Sequence, residues 1–242
     1  MNRKTLILAL TLALPGATAF AQGTAAGVSW SYFDFGAQHV SPDADGLDSG
    51  TGFGIRGSGA INENWHVFLG WNRTPFEGDG AVTGPGGSPG IASVDDDLDR
   101  YNIGIGYNFP VATNTDLFAR VGYERIGSTD FDVAVLTPPP GGPPTIGSVK
   151  LDSTDGYSVE VGVRSDFSQR FEAGVSARYT AFDDPEVSFD GSTISVPGLV
   201  DDSTTSLILH GQYKFGNGWG VVAEGDFNSE YTGAFVGARL SY

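Results

Sequence analysis

Residues 171–182 read FEAGVSARYTAF, and two opposed faces separate along them. Successive side chains of an extended strand point to opposite sides. Phe171, Ala173, Val175, Ala177, Tyr179 and Ala181 therefore share one face, and Glu172, Gly174, Ser176, Arg178 and Thr180 share the other. A water-soluble sheet turns its apolar face to a core and its polar face to solvent. Here the polar face carries glycine and opposite charges, while the apolar face is smooth with aromatics near both ends. That pattern suits a strand with lipid on one side and a narrow wet lumen on the other.

The same alternation predicts ten strands, at 28–40, 51–61, 65–75, 97–109, 117–132, 150–167, 171–182, 203–215, 219–227 and 231–242. Tight turns fall at Asn62–Asn64, Pro110–Asp116, Ser168–Arg170 and Gly216–Gly218. Long connections fall at 41–50, 76–96, 133–149 and 183–202, with one short exception near Asn228–Glu230. The expected fold class is therefore all-β: a single antiparallel up-and-down transmembrane β-barrel with short periplasmic turns and long extracellular loops. An even strand count puts both termini at the periplasmic rim. Within the loops, Phe131–Leu136 and Ile146–Leu151 are expected to extend a hairpin above the membrane, around the TPPPGGPP tip. Glu186–Phe189 and Ser192–Val196 flank Asp190-Gly191, a hairpin turn signal.

Aromatics sort by height. Trp65, Phe109, Phe167, Phe171, Phe215, Trp219 and Tyr242 lie beside the short turns, and Phe53, Tyr101, Tyr123, Tyr157 and Tyr179 toward the other strand ends. All have the lipid-facing parity, as two interfacial girdles require.

Residues 1–21 read as a cleaved signal peptide: Arg3 and Lys4, an apolar Leu6–Leu14, and Ala19-Phe20-Ala21. Residues 22–242 then form one barrel domain. The chain has no cysteine, which excludes a lipoprotein anchor, disulfides and thiol chemistry.

Net charge is −16, and its distribution is uneven. The lumen parity carries Arg56, Arg100, Arg120, Arg164, Arg178, Lys214 and Arg239 against Asp34, Glu124, Glu160, Glu172, Glu224 and Asp226. This near-neutral set can pair across strands: one register sets Arg164 opposite Glu172, and another sets Glu160 opposite Arg178. A salt-bridged interior is favoured over a selectivity filter or proton path, because small barrels fill their interiors with side chains. Counted with their flanking strand ends (41–50, 74–99, 127–155, 183–202 and 228–230), the outer loops hold twenty acids and one base, Lys150. Nucleic acid is excluded as a partner, since phosphate binding needs a basic stripe. Asp95, Asp96 and Asp97, with Asp183-Asp184 and Asp201-Asp202, are candidate ligands for Ca²⁺ or Mg²⁺. Asp43, Asp45 and Asp48 lack the spacing of a calcium loop. Simple solvation and repulsion that keeps the loops apart is favoured over specific metal binding as the account of these acids. No other cofactor is expected.

Catalysis finds little support. His66 and His210 have lumen parity near the short turns, where a packing role is expected. His39-x-Ser41 lacks an acidic partner, and Asp97-x-Asp99 is half of a protease-like pair without its other half.

The stretches ENWHVFLGW (63–71), LDRYNIGIGYNFPVATNTDLFARVGYER (98–125), YSVEVGVRSDFSQRFEAGVSARYT (157–180), GWGVVAEGDF (218–227) and VGARLSY (236–242) span the mature chain. In these it resembles a family of small ten-stranded outer-membrane proteins of plant- and soil-associated gammaproteobacteria, among the OmpA-like barrels in the broad sense. The resemblance implies residence in the outer membrane and shed vesicles, contact with lipid and lipopolysaccharide, and an immune-elicitor role. It supplies no catalytic residues. The terminal strand ending in Tyr242 resembles the signal read by the barrel assembly machinery. No peptidoglycan-binding domain is expected after it. Envelope structure or interaction with a surface or host ligand is the expected role, with a narrow porin-like channel as the alternative.

Overall fold

The computed structural model describes residues 27–43, 48–83, 89–135, 145–184, 186–189, 192–195 and 203–242. The expected signal peptide, the TPPPGGPP tip at 137–144, Asp190-Gly191, Asp201-Asp202 and Asp45 lie outside the described residues.

Among the described residues fourteen strands follow one another: β1 (Tyr32–Pro42), β2 (Gly50–Ala60), β3 (Trp65–Thr83), β4 (Pro89–Ala112), β5 (Thr115–Ile126), β6 (Thr129–Val135), β7 (Thr145–Leu151), β8 (Thr154–Asp166), β9 (Phe171–Phe182), β10 (Glu186–Phe189), β11 (Ser192–Ser195), β12 (Ser203–Gly216), β13 (Trp219–Phe227) and β14 (Tyr231–Ser241). Ten of them, β1 to β5, β8, β9 and β12 to β14, pair antiparallel around a closed ring. The first and last strands meet, from Tyr32 opposite Ser241 to Pro42 opposite Tyr231. Closure leaves no unpaired edge, the condition for strands to cross a bilayer.

The other four strands rise beyond the long-loop rim. β6 pairs β4 and β7, and β10 joins β7 and β11. Two predicted strands are thereby interrupted, 117–132 at Gly127-Ser128 and 150–167 at Asp152-Ser153. Residues 76–83 and 89–96, expected as parts of a loop, are instead the arms of the β3–β4 hairpin, paired out to Thr83 and Pro89. Pairing satisfies backbone groups that an open loop would leave to water.

Turn chemistry closes the other rim. Asn217 and Gly218 join β12 to β13 with φ of 53° and 79°. Positive φ at both central residues matches the right-handed strand twist, and Asn-Gly supplies it at little cost.

Parity behaves as the sequence predicts. All twelve girdle aromatics are exposed, and between the girdles lies an unbroken apolar belt. Ile103, Val161 and Val236 are 59%, 55% and 55% exposed. Water would penalise such a belt, and lipid would not. Inside, small residues make room for large ones. A Cβ on Gly104 would fall 2.4 Å from the Phe68 ring, and one on Gly106 would fall 2.3 Å from His66 Nε2.

The first predicted strand needs correction. Residues 28–31 are not strand; they turn into the barrel and fill its short-turn end. Val28, Trp30 and Ser31 are fully buried.

Candidate functional site

Trp30 is the centre of the filled end. Its indole stacks on His66, with centroids 4.5 Å apart and planes 21° apart, and meets Phe118 edge-on at 5.3 Å. The Arg164 guanidinium lies 4.4 Å from the ring centroid. The indole Nε1–H donates to Asp116 Oδ2 at 2.8 Å. Backbone groups tie the segment to the wall: Ser58 Oγ donates to the Trp30 carbonyl at 2.7 Å, and the Ala60 amide to Ser31 Oγ at 3.1 Å. An apolar ring with a satisfied polar handle forms a tight stopper.

Above it runs the charge belt. β8 and β9 take the register that sets Glu160 opposite Arg178. Arg164 then faces Gly174, yet reaches diagonally to hydrogen-bond Glu172, so both pairs read from the sequence form together. Arg239 grips Asp34 with two bonds of 2.7 Å across the β1–β14 seam. Arg56 meets Glu224 at 2.7 Å, and Arg100 meets Glu124 at 3.3 Å. Arg178 lies 3.6 Å from both Glu160 and Asp226. Lys214 meets Asp166 at 2.5 Å and Glu172 at 3.3 Å. Asp116 and Asp166 were absent from the sequence-derived lumen set; with them, seven cations face eight carboxylates, and the lumen stays close to neutral. Charges removed from bulk water need such partners.

From the long-loop rim a cavity of about 680 Å³ runs down through the charge belt, whose Arg56, Arg100, Arg178 and Glu224 line it. Its depth is set by Tyr32, Phe118 and Arg120, and its rim includes Phe76, Asp96 and Glu230. Lumen-parity apolar residues line it: Phe68, Phe182, Ile208 and Phe235. Sequence reasoning, following charges, missed this apolar lining. It also missed Trp30, although Val28, Trp30 and Tyr32 share the parity of Asp34 and so signal apolar packing inside.

The remaining candidates fall elsewhere. Asp95 to Asp97 lie on β4, where Asp96 lines the cavity and Asp97 pairs outward with Arg73 at 3.6 Å. Strand alternation thus keeps the three from converging on one ion. No group of three or more potential metal ligands occurs among the described residues. Asp99 also belongs to Arg73, at 2.6 Å, and takes Trp71 Nε1–H at 3.0 Å. These bonds hold its carboxyl below the usual carboxylate range, with Arg73 the largest cause. His39 Nδ1 lies 2.8 Å from Thr51 Oγ1, with no carboxylate of the described residues bonded to the ring. His66 accepts from Arg120 Nε at 3.1 Å through Nε2, which puts its own proton on Nδ1, toward Asn108 Oδ1. His210 Nε2 lies 3.6 Å from Glu172. Both are packed lumen residues, as expected.

A family model for the outer membrane protein beta-barrel domain matches residues 6–198. Comparison with curated proteins finds no match. Among solved structures, the P. putida toluene transporter TodX superposes with a TM-score of 0.52 at 10% identity, over 94% of this chain and 94% of that one. The CymD monoaromatic hydrocarbon channel gives a TM-score of 0.50 at 14% identity, over 96% of this chain and 92% of that one. At such identities the likeness concerns the fold. A closed ring, a lipid-facing belt and the family match locate the protein in the outer membrane. The chain belongs to the outer membrane protein beta-barrel domain family.

Proposed function

We propose that the protein is a barrel closed at rest, working at the outer face of the envelope in structure or surface interaction, with no enzymatic role. The filled short-turn end carries this reading: Trp30, buried among His66, Phe118 and Arg164, sits where a solute would have to leave. In this reading the short turns face the periplasm and the acidic loops face outward, among lipopolysaccharide and any surface ligand. The terminal strand β14 is the element offered to the assembly machinery. Planar-bilayer recording of the refolded full chain tests it. Silence is expected, and steady openings would overturn it.

A second reading, a gated narrow channel, has one observation in its favour. The cavity descends from the outer rim and stops at Tyr32, just above a four-residue segment that is not part of the wall. On this reading, removing residues 22–31 opens a conductance absent from the intact chain. Silence from both proteins eliminates the channel.

A further inference from the structure

The lumen cations are unequally compensated, and the exception lies at the floor of the cavity. Arg56, Arg100, Arg164, Lys214 and Arg239 each hold a carboxylate within 3.3 Å, and Arg178 has two at 3.6 Å. Among the described residues Arg120 has only Glu160, at 3.9 Å, beyond hydrogen-bonding reach. That carboxylate is already engaged by Ser176 Oγ at 2.6 Å and by Arg178. Arg120 donates only to neutral groups, His66 Nε2 at 3.1 Å and the Tyr32 hydroxyl at 3.3 Å. A guanidinium has five N–H donors, so three remain without a hydrogen-bond partner among the described residues. The rings of Phe68, Phe118 and Trp30, with centroids 5.1, 5.1 and 5.3 Å from its carbon, hold it on the other sides. Its side chain is 14% exposed and lines the cavity.

We propose that the cavity is a binding site for a small monocarboxylate with an apolar body, seated head-down on Arg120. A carboxylate matches the planar fork of a guanidinium and restores the missing compensation. The Tyr32 hydroxyl accepts from Arg120, so its own proton is available to the same carboxylate. Phe68, Phe118, Ile208 and Phe235 line the space for an apolar body. The volume of about 680 Å³ is in the range of small-molecule sites. One negative charge suits the approach, because the acidic loops repel multivalent anions more strongly. The seat exists whether or not the barrel conducts.

The test uses the refolded full chain in micelles, 4-fluorobenzoate as probe, and ¹⁹F NMR, with empty micelles subtracted. Saturable binding is expected below about 10 mM, as even a ligand with a Kd of ~1 mM would show. The neutral 4-fluorobenzamide is expected to bind at least ~10-fold more weakly, the scale of a charge-assisted pair. Arg120→Met is expected to lose at least as much affinity, and Arg120→Lys less. Absence of saturation, equal binding of the amide, or unchanged affinity in a folded Arg120→Met barrel would each overturn the proposal. If Arg120→Met does not fold, the comparison of carboxylate with amide on the unaltered protein decides alone.

Discussion

Replacing Asp34 by alanine strips the partner from Arg239 at the seam where the barrel closes. The two residues face each other across β1 and β14, joined by two bonds of 2.7 Å, with side chains 1% and 4% exposed. Breaking a buried pair on one side typically costs about 3–5 kcal/mol, because a charge is left uncompensated. Arg239 would keep Gln212 Oε1 at 3.3 Å and the Tyr32 ring at 3.8 Å. These residual partners put the expected cost near the lower bound, about 3 kcal/mol. Adding Arg239→Met removes the orphaned charge and fills similar volume, so the double variant should recover most of the loss. The expected coupling is roughly 2–3 kcal/mol. Urea unfolding and refolding in phospholipid vesicles, followed by tryptophan fluorescence with coincident forward and reverse curves, measures the cycle. A single-variant cost under about 1 kcal/mol, or losses that simply add, would refute the idea that this pair is desolvated and holds the seam.

Other outcomes follow from the same geometry. Gly106→Ala drives a Cβ to 2.3 Å from His66 Nε2 and should cost about 1–3 kcal/mol, while Gly59→Ala, whose Cβ meets nothing within 4 Å, should cost little. Acrylamide quenching should rise only in the first if the stopper loosens. Val121→Arg, in the middle of the apolar belt, should cost ~2–4 kcal/mol in vesicles; a cost near zero would contradict a lipid-facing side chain. Asp99 lies just beyond the outer girdle, and its lowered folded-state pKa makes the Arg73 pair stabilising above the unfolded value of about 3.9. That stability falls away as pH drops through the folded value. Carboxyl ¹³C NMR titration should find Asp99 low and should find it returned toward the ordinary range in Arg73→Gln. Heat-modifiable migration in SDS gels and fractionation with outer membranes should accompany all folded variants.

The lipid face was legible because one period, two residues, governs every strand, and FEAGVSARYTAF already shows it. The lumen charges were legible for the same reason, down to the two alternative pairings of β8 with β9. Sequence could not choose between those registers, because both place opposite charges together. The structure shows why the choice mattered less than expected: Arg164 is long enough to reach Glu172 diagonally while Glu160 faces Arg178. Trp30 was hidden by its own neighbours, since Val28, Trp30 and Tyr32 alternate like strand residues. Only their shared parity with Asp34 betrays that they point inward. The arms of β3 and β4 beyond the membrane were read as loop because glycine and proline dilute the alternation there, whereas pairing between the two arms restores the ladder.

The strands beyond the rim are not spread evenly around it. β3, β4, β6, β7, β10 and β11 form one continuous screen, while β13 and β14 are joined by only Asn228–Glu230. The mouth therefore has a tall bank and a low bank. Among the described residues, a molecule arriving at this rim meets paired strands on one side and only the Asn228–Glu230 turn on the other, so its path to the cavity is oblique.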